Sequence, residues 1–290
     1  MPPTDEPTRP SRHTAIWTRL AIGVVVAVVG TVVLVKVVGG ADDGPRTTTA
    51  LSPTSPTVLG EVTSIPPSVF DAVGVHSPVV PVTAPSEVRG APLTATGGHG
   101  HPEPVVVYVG AEYCSFCAAE RWPLIAALSR FGTFRRLYDV QSSSIDFAPN
   151  TPTFSFYDLR YESPYLQFRP YETATDVLGS NGYEPLMTVP DDVAAVQQRY
   201  DPLGTYPFVD VGNAVVAREV ALSPITFVGL SRDQVAGGLT DATNPVTASI
   251  VASANYLTAA ICVVDGEVPT TVCDSPGVRA ADDHLGAPSG

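Results

Sequence analysis

Apolar positions along the chain fall into several distinct patterns. Residues 20–35 form a run without charge, continued past Lys36 by Val37 and Val38 and preceded by Ala15, Ile16 and Trp17. Together they cover the ~20 residues that a hydrocarbon core requires, which predicts a single transmembrane anchor over 15–38. A run of β-branched residues, Val105-Val106-Val107-Tyr108-Val109, predicts a strand buried on both faces. Residues 118–131 then place Trp122, Ile125, Leu128 and Phe131 on one helical stripe, with Pro123 as an expected kink and Gly132 as an expected C-cap. Residues 134–140 read as a second strand. Strand, helix and strand in succession predict a βαβ unit with a parallel pair.

Further along, 153–157 and 165–171 are aromatic-rich strand candidates, and 189–200 is a short helix. Residues 206–211 and 214–217 flank Gly212-Asn213, the signature of a tight hairpin. Ser231 can cap a helix starting at Arg232. Asn244-Pro245 opens a long helix to about Cys262.

Charge and composition change the picture in two places. Arg9, Arg12 and Arg19 precede the N-terminal run, and Asp42 and Asp43 follow it. That asymmetry predicts a cytoplasmic tail over 1–14 and everything after the anchor outside the cell membrane. A cleaved signal peptide is the rival reading, but 37–42 lacks a good cleavage site. The net charge of −13 argues against nucleic acid as a partner. Eleven prolines lie between Pro45 and Pro104, so 39–58 reads as a stiff linker. The folded domain is expected over 59–274, with a flexible tail over 275–290.

The candidate chemistry lies in Cys114-Ser115-Phe116-Cys117, at the predicted strand-to-helix junction. Thiol–disulfide exchange needs one thiolate in reach of substrate and a second thiol to resolve the mixed disulfide. The first turn of a helix supplies both, since its unpaired N–H groups and dipole favour a thiolate. Catalytic roles are therefore expected for Cys114 and Cys117. Glu112 and Glu120 should oppose thiolate formation, and Arg121 should favour it. Tyr206-Pro207, at the head of the predicted hairpin, resembles the cis-proline of thioredoxin-like proteins, which implies a substrate-binding pair; a cis bond there leaves the backbone of Tyr206 free to meet an extended chain. Cys262 and Cys273 are expected to form a structural disulfide outside the membrane, with a second redox pair as the sharper alternative. Zinc is disfavoured because these two cysteines are ten residues apart rather than two. Cu(I) bound by Cys114, Cys117 and His99 or His101 is a further alternative. No metal and no cofactor are expected.

The stretch Gly110-Ala111-Glu112-Tyr113-Cys114-Ser115-Phe116-Cys117 followed by Ala118-Ala119-Glu120-Arg121-Trp122 resembles thioredoxin-fold proteins. It is more closely similar to the thioredoxin-like family filed as domain of unknown function 929, through Thr153-Phe154-Ser155-Phe156-Tyr157 and Ser163-Pro164-Tyr165 to the C-terminal cysteines, over about 58–273. The resemblance implies an α/β, thioredoxin-like fold with an insertion over about 141–204, between the second strand and the cis-proline strand. It also implies protein thiols or disulfides as substrates, and the anchor suggests a redox partner in the membrane. Two departures matter: Ser-Phe replaces the usual proline-containing dipeptide, and Tyr108 stands near the place of a buried acid. They leave the direction of electron flow open. The rival reading from another class is a non-catalytic thioredoxin-like binding module with an inert disulfide.

Overall fold

Val105 to Val109 are buried side chain after side chain, and a mixed α/β structure is organised around that strand. The computed structural model describes residues 51–77, 82–97, 102–218 and 221–285. The anchor segment 15–38, His99 and His101 lie outside the described residues. In chain order the first elements are β1 (Ser52–Pro53), α1 (Pro56–Thr63), α2 (Pro67–Val73), β2 (Ser86–Glu87), β3 (Thr94–Thr96) and β4 (Pro102–Gly110). Then come α3 (Ser115–Leu128), β5 (Thr133–Gln141), β6 (Pro152–Glu162), β7 (Gln167–Glu172), β8 (Ala174–Gly179) and β9 (Gly182–Pro185). The chain continues with α4 (Asp191–Tyr200), β10 (Phe208–Val211), β11 (Val215–Ala217), a 3-10 turn (Pro224–Phe227), α5 (Arg232–Gly238), α6 (Pro245–Asp265), α7 (Thr270–Cys273) and α8 (Pro276–Asp282).

The central sheet runs β2-β11-β10-β4, with β7 and β3 sharing the far edge of β4. β10 is antiparallel to β4 and to β11, whereas β7 is parallel to β4. Gly212 and Asn213 both take positive φ, 61° and 60°, and with Ala214, whose N–H donates to the Val211 carbonyl at 3.1 Å, they form the three-residue connection between β10 and β11.

The parallel partner of β4 is not the strand that the sequence pattern predicts. Residues 134–140 lie within β5, which pairs antiparallel with β6 and β1 in a separate three-stranded sheet. Adjacent Arg135 and Arg136 put one charge on each side of β5. Both reach exposed partners, Glu162 at 3.2 Å and Asp158 at 2.8 Å, and the ladder is irregular on either side of Arg136. The single excursion expected over 141–204 is thus divided. The β5–β6 hairpin precedes the parallel strand, and the β8–β9 hairpin with α4 follows it.

α3 begins at Ser115, earlier than 118, because Cys114 itself is the N-cap. Gly132 does not cap it; Ser129 does. The glycine is required by close approach instead, since a Cβ there would lie 2.5 Å from the Glu162 carbonyl oxygen. Trp122 anchors the helix, donating from Nε1 to the Pro152 carbonyl at 2.9 Å and meeting Phe154 edge-on at 4.8 Å.

α6 is buried from Thr247 to Cys262. Among the described residues it is the one helix long and apolar enough to cross a bilayer, yet it is a core helix of this domain. Two of its buried polar side chains are paired: Thr258 donates to the Ala254 carbonyl at 2.7 Å, and Asn255 donates to Phe70 and Gly74 carbonyls at 3.0 and 2.8 Å. Asn255 thereby ties the end of α2 to the core. The fold starts before residue 59, with β1 on β5 and α1 from Pro56. It also extends past 274, for α8 buries Val278 and Ala281, and Gly277 donates to Asp71 at 3.2 Å.

Cys262 and Cys273 are disulfide-bonded, Cα to Cα 5.7 Å, joining the end of α6 to α7. A loop of this size stabilises by roughly 3 kcal/mol through the unfolded chain. Replacing both cysteines by alanine should lower the denaturation free energy by about that amount, read from urea midpoints; an unchanged midpoint would show that the closure contributes nothing.

Candidate functional site

The site is built where β4 ends and α3 begins. Cys114 is extended (φ −78°, ψ 121°) and its Sγ accepts from the Cys117 N–H at 3.3 Å. A sulfur therefore stands where a hydroxyl or carboxylate oxygen more often satisfies the first free N–H groups of a helix. Cys117 lies one turn on. Both thiols are free; Cys114 keeps 7% exposure and Cys117 none. Around them pack Ala111, Tyr113, Phe116, Ala174 and Tyr206. The Tyr206–Pro207 bond is cis, and the register Phe208↔Val109 brings this dipeptide to the same end of the sheet. Sequence reasoning thus places Cys114, Cys117 and Tyr206-Pro207 as separate candidates, and the fold gathers them. Cys262 and Cys273 are not among the side chains packed around Cys114 and Cys117.

Two further loops complete the surroundings. Asp146 accepts from the Ser115 N–H at 2.6 Å, and Ser143 N–H donates to the Tyr113 carbonyl at 2.8 Å. The loop after β5 therefore folds over the start of α3. Its Phe147, 61% exposed, stacks on Phe116 at 5.3 Å, and Tyr183 of β9 stacks on Tyr113 at 4.0 Å. Of the aromatics that alternate in the sequence, Phe154 and Phe156 are core residues. The rim about the cysteines comes instead from Tyr113, Phe116, Phe147, Tyr183 and Tyr206.

Beneath the pair lies a fully buried ion pair. Arg121 donates from Nε and Nη2 to the Glu172 carboxylate at 2.9 and 2.6 Å, and from Nη2 to the Ala111 carbonyl at 2.8 Å. No sequence signal links residues 121 and 172, or 115 and 146, because each pairing depends on how the hairpins fold back.

The two thiols are driven apart electrostatically. The Cys114 thiol is lowered, first by a hydrogen bond from Cys117, then by the Cys117 N–H and Arg121, against burial and the Asp146 charge. Burial pushes the Cys117 thiol well up, with the neighbouring Cys114 adding to it. The environment thus favours the thiolate at Cys114 and the protonated thiol at Cys117. The expected opposition from Glu112 and Glu120 takes another form. Burial raises both carboxyls to about 7. Glu112 accepts from the Ser155 hydroxyl, and Glu120 accepts from the Ala221 N–H at 3.0 Å. Asp146 is the carboxylate that opposes the Cys114 thiolate.

Among the described residues one group has metal-ligand proximity, Cys262, Glu267 and Cys273. Its two sulfurs are joined to each other, so it offers no thiolate.

Limited alkylation of the reduced protein near neutral pH should modify Cys114 first and Cys117 only on unfolding. In Asp146→Asn the pH midpoint of Cys114 alkylation should move down, and an upward move would contradict the charge argument. For Glu120, a folded-state value raised to about 7 from 4.5 means its contribution to stability is complete below the unfolded value. That contribution is lost as pH rises through the folded one. The urea midpoint should therefore fall between mildly acidic and neutral pH, and Glu120→Gln should flatten that fall.

No curated protein and no solved structure matches the chain. A family model described as Domain of unknown function (DUF929) matches residues 98–182, a shorter span than the expected 58–273. That span runs from β4 through β8, carries both free cysteines and supports the resemblance to that family.

Proposed function

We propose that this chain is a membrane-anchored, extracytoplasmic thiol–disulfide oxidoreductase of thioredoxin-like fold. The observation that carries the reading is the pairing of Cys114, as N-cap of α3, with Cys117 one turn behind it, beside the cis Tyr206–Pro207. The fold reading is supported by the strand order β7-β4-β10-β11, the parallel pair β4–β7, and a cysteine-bearing helix entered directly from β4. The anchor rests on the apolar run over 15–38 and its flanking charges.

In the reductive direction the Cys114 thiolate attacks one sulfur of a substrate disulfide and expels the other as a thiolate, which takes up a proton. Cys117 then loses its proton and attacks Cys114 Sγ. A Cys114–Cys117 bond forms, the bond to substrate breaks, and two electrons have passed to the substrate. The oxidative direction reverses these steps. The lowered Cys114 and raised Cys117 suit the order of attack in either direction. Among the described residues no hydrogen bond uses the backbone of Tyr206, which leaves it available to an extended substrate chain.

The near-burial of Cys114 favours a second reading, a non-catalytic binding module that meets its partner through the aromatic rim. Insulin reduction and oxidative refolding of a scrambled protein separate the two. Wild type should be active in at least one assay, and Cys114→Ser should fall to background. Cys117→Ser should accumulate a covalent mixed disulfide with substrate. An inactive wild type, with no adduct in Cys117→Ser, supports the binding module instead.

A further inference from the structure

Among the described residues, two buried polar groups under the cysteine pair lack a hydrogen-bond partner: the Tyr108 hydroxyl and Nη1 of Arg121. Both side chains are fully buried, where an unsatisfied donor is costly and calls for an explanation. Their placement supplies one. Arg121 is four residues after Cys117 on α3, so the two share a helix face. Tyr108 and Gly110 share a face of β4. A Cβ added to Gly110 would collide with the Tyr108 hydroxyl and lie 2.9 Å from Cys117 Sγ, so hydroxyl and sulfur converge on one small space. The guanidinium carbon sits 5.6 Å from the Tyr108 ring centroid. Of the remaining donors on Arg121, Nε and Nη2 are committed to Glu172 and Ala111.

We propose that Tyr108 and Arg121 are positioning residues for the resolving step, their free donors stabilising negative charge on Cys117 Sγ as it attacks the mixed disulfide. This deepens the oxidoreductase reading and rests on it for its biological meaning. In the resting thiol both donors stand idle. When Cys117 gives its proton to solvent, its sulfur gains a hydroxyl donor and an adjacent cation in a site with little water. Catalytic hydrogen bonds of this kind are often long before the reaction and tighten during it. Burial keeps the Tyr108 hydroxyl protonated, since its ionisation is pushed well up; it acts as a donor and not as the base. The titratable groups facing the Cys117 sulfur are Cys114 and Arg121 from α3 and Tyr108 from β4, with Glu172 of β7 behind Arg121.

The test uses an artificial probe, a chromogenic aromatic disulfide in excess, mixed rapidly with reduced full-length protein. Attack by Cys114 releases one aromatic thiolate, and resolution by Cys117 releases a second from the adduct. The first phase therefore reports Cys114 alone. In Tyr108→Phe, which deletes only the idle hydroxyl, the second phase should slow about tenfold, the scale of one hydrogen bond to a charged group. Its pH profile should move up by about one unit. The neutral pair Arg121→Gln with Glu172→Gln, which keeps hydrogen bonding but removes the cation, should slow it further. If that pair fails to fold, Tyr108→Phe decides alone. A second phase unchanged in rate and pH profile overturns the proposal, as does its absence from wild type. Failure of insulin reduction and refolding with a second phase that responds to Tyr108→Phe would sink the physiological reading and leave this one standing.

Discussion

The buried pair of Arg121 and Glu172 is the interaction on which the site depends. It joins α3 to β7, and the same guanidinium holds the Ala111 carbonyl at the turn leading into Cys114. Glu172 also accepts from the Phe156 N–H at 3.2 Å, so β6 is drawn into the same network. Two charges taken fully out of water gain little net stability, but removing either partner leaves the other unpaired and costs about 3–5 kcal/mol. The pair is better understood as fixing position. It sets the helix that carries both cysteines against β7, the parallel neighbour of β4, and it places a cation close enough to act on both thiols.

That arrangement explains why the local part of the site was legible in the sequence and the rest was not. Cys114 and Cys117 are close in sequence, and a helix start after a β-branched strand determines their geometry. Pro207 could be placed because a hairpin signal follows it directly. The disulfide of Cys262 and Cys273 is the default expectation for two cysteines placed outside the membrane, and it closes the loop between them. Asp146, Glu172 and Tyr183 could not be found in this way, since each reaches the site through a hairpin whose pairing is non-local. The parallel strand was misassigned for the same reason. Alternation in residues 134–140 indicates a strand, but it does not indicate which neighbour the strand chooses. Ser52–Pro53 and Pro276–Asp282 lie outside the expected 59–274 and are short elements held by what they dock against.

The electrostatics divide along the helix in a way that composition alone conceals. An acidic chain suggests a site hostile to thiolates. Yet burial raises Glu112 and Glu120 to about 7, and each has a donor of its own. What remains near Cys114 is one carboxylate, Asp146, set against Arg121 and the N–H of Cys117. Asp146 spends its charge on the Ser115 N–H, the same helix end that would otherwise stabilise a thiolate more strongly. The loop that carries it is thus a brake on Cys114 reactivity as well as part of the wall around it.

Access completes the argument. The aromatic rim leaves Cys114 a narrow opening while Phe147 and Ile145 of the same loop stay open to solvent, 61% and 70% exposed. A small thiol in bulk solvent gains nothing from those side chains, whereas a peptide segment can cover them as it presents its own cysteine. Binding to the rim would also displace water from beside Asp146, strengthening every charge interaction at the helix start. Under the proposed oxidoreductase reading, reactivity and recognition would be coupled through one loop: the segment whose carboxylate opposes the Cys114 thiolate is also the surface a polypeptide substrate would meet first.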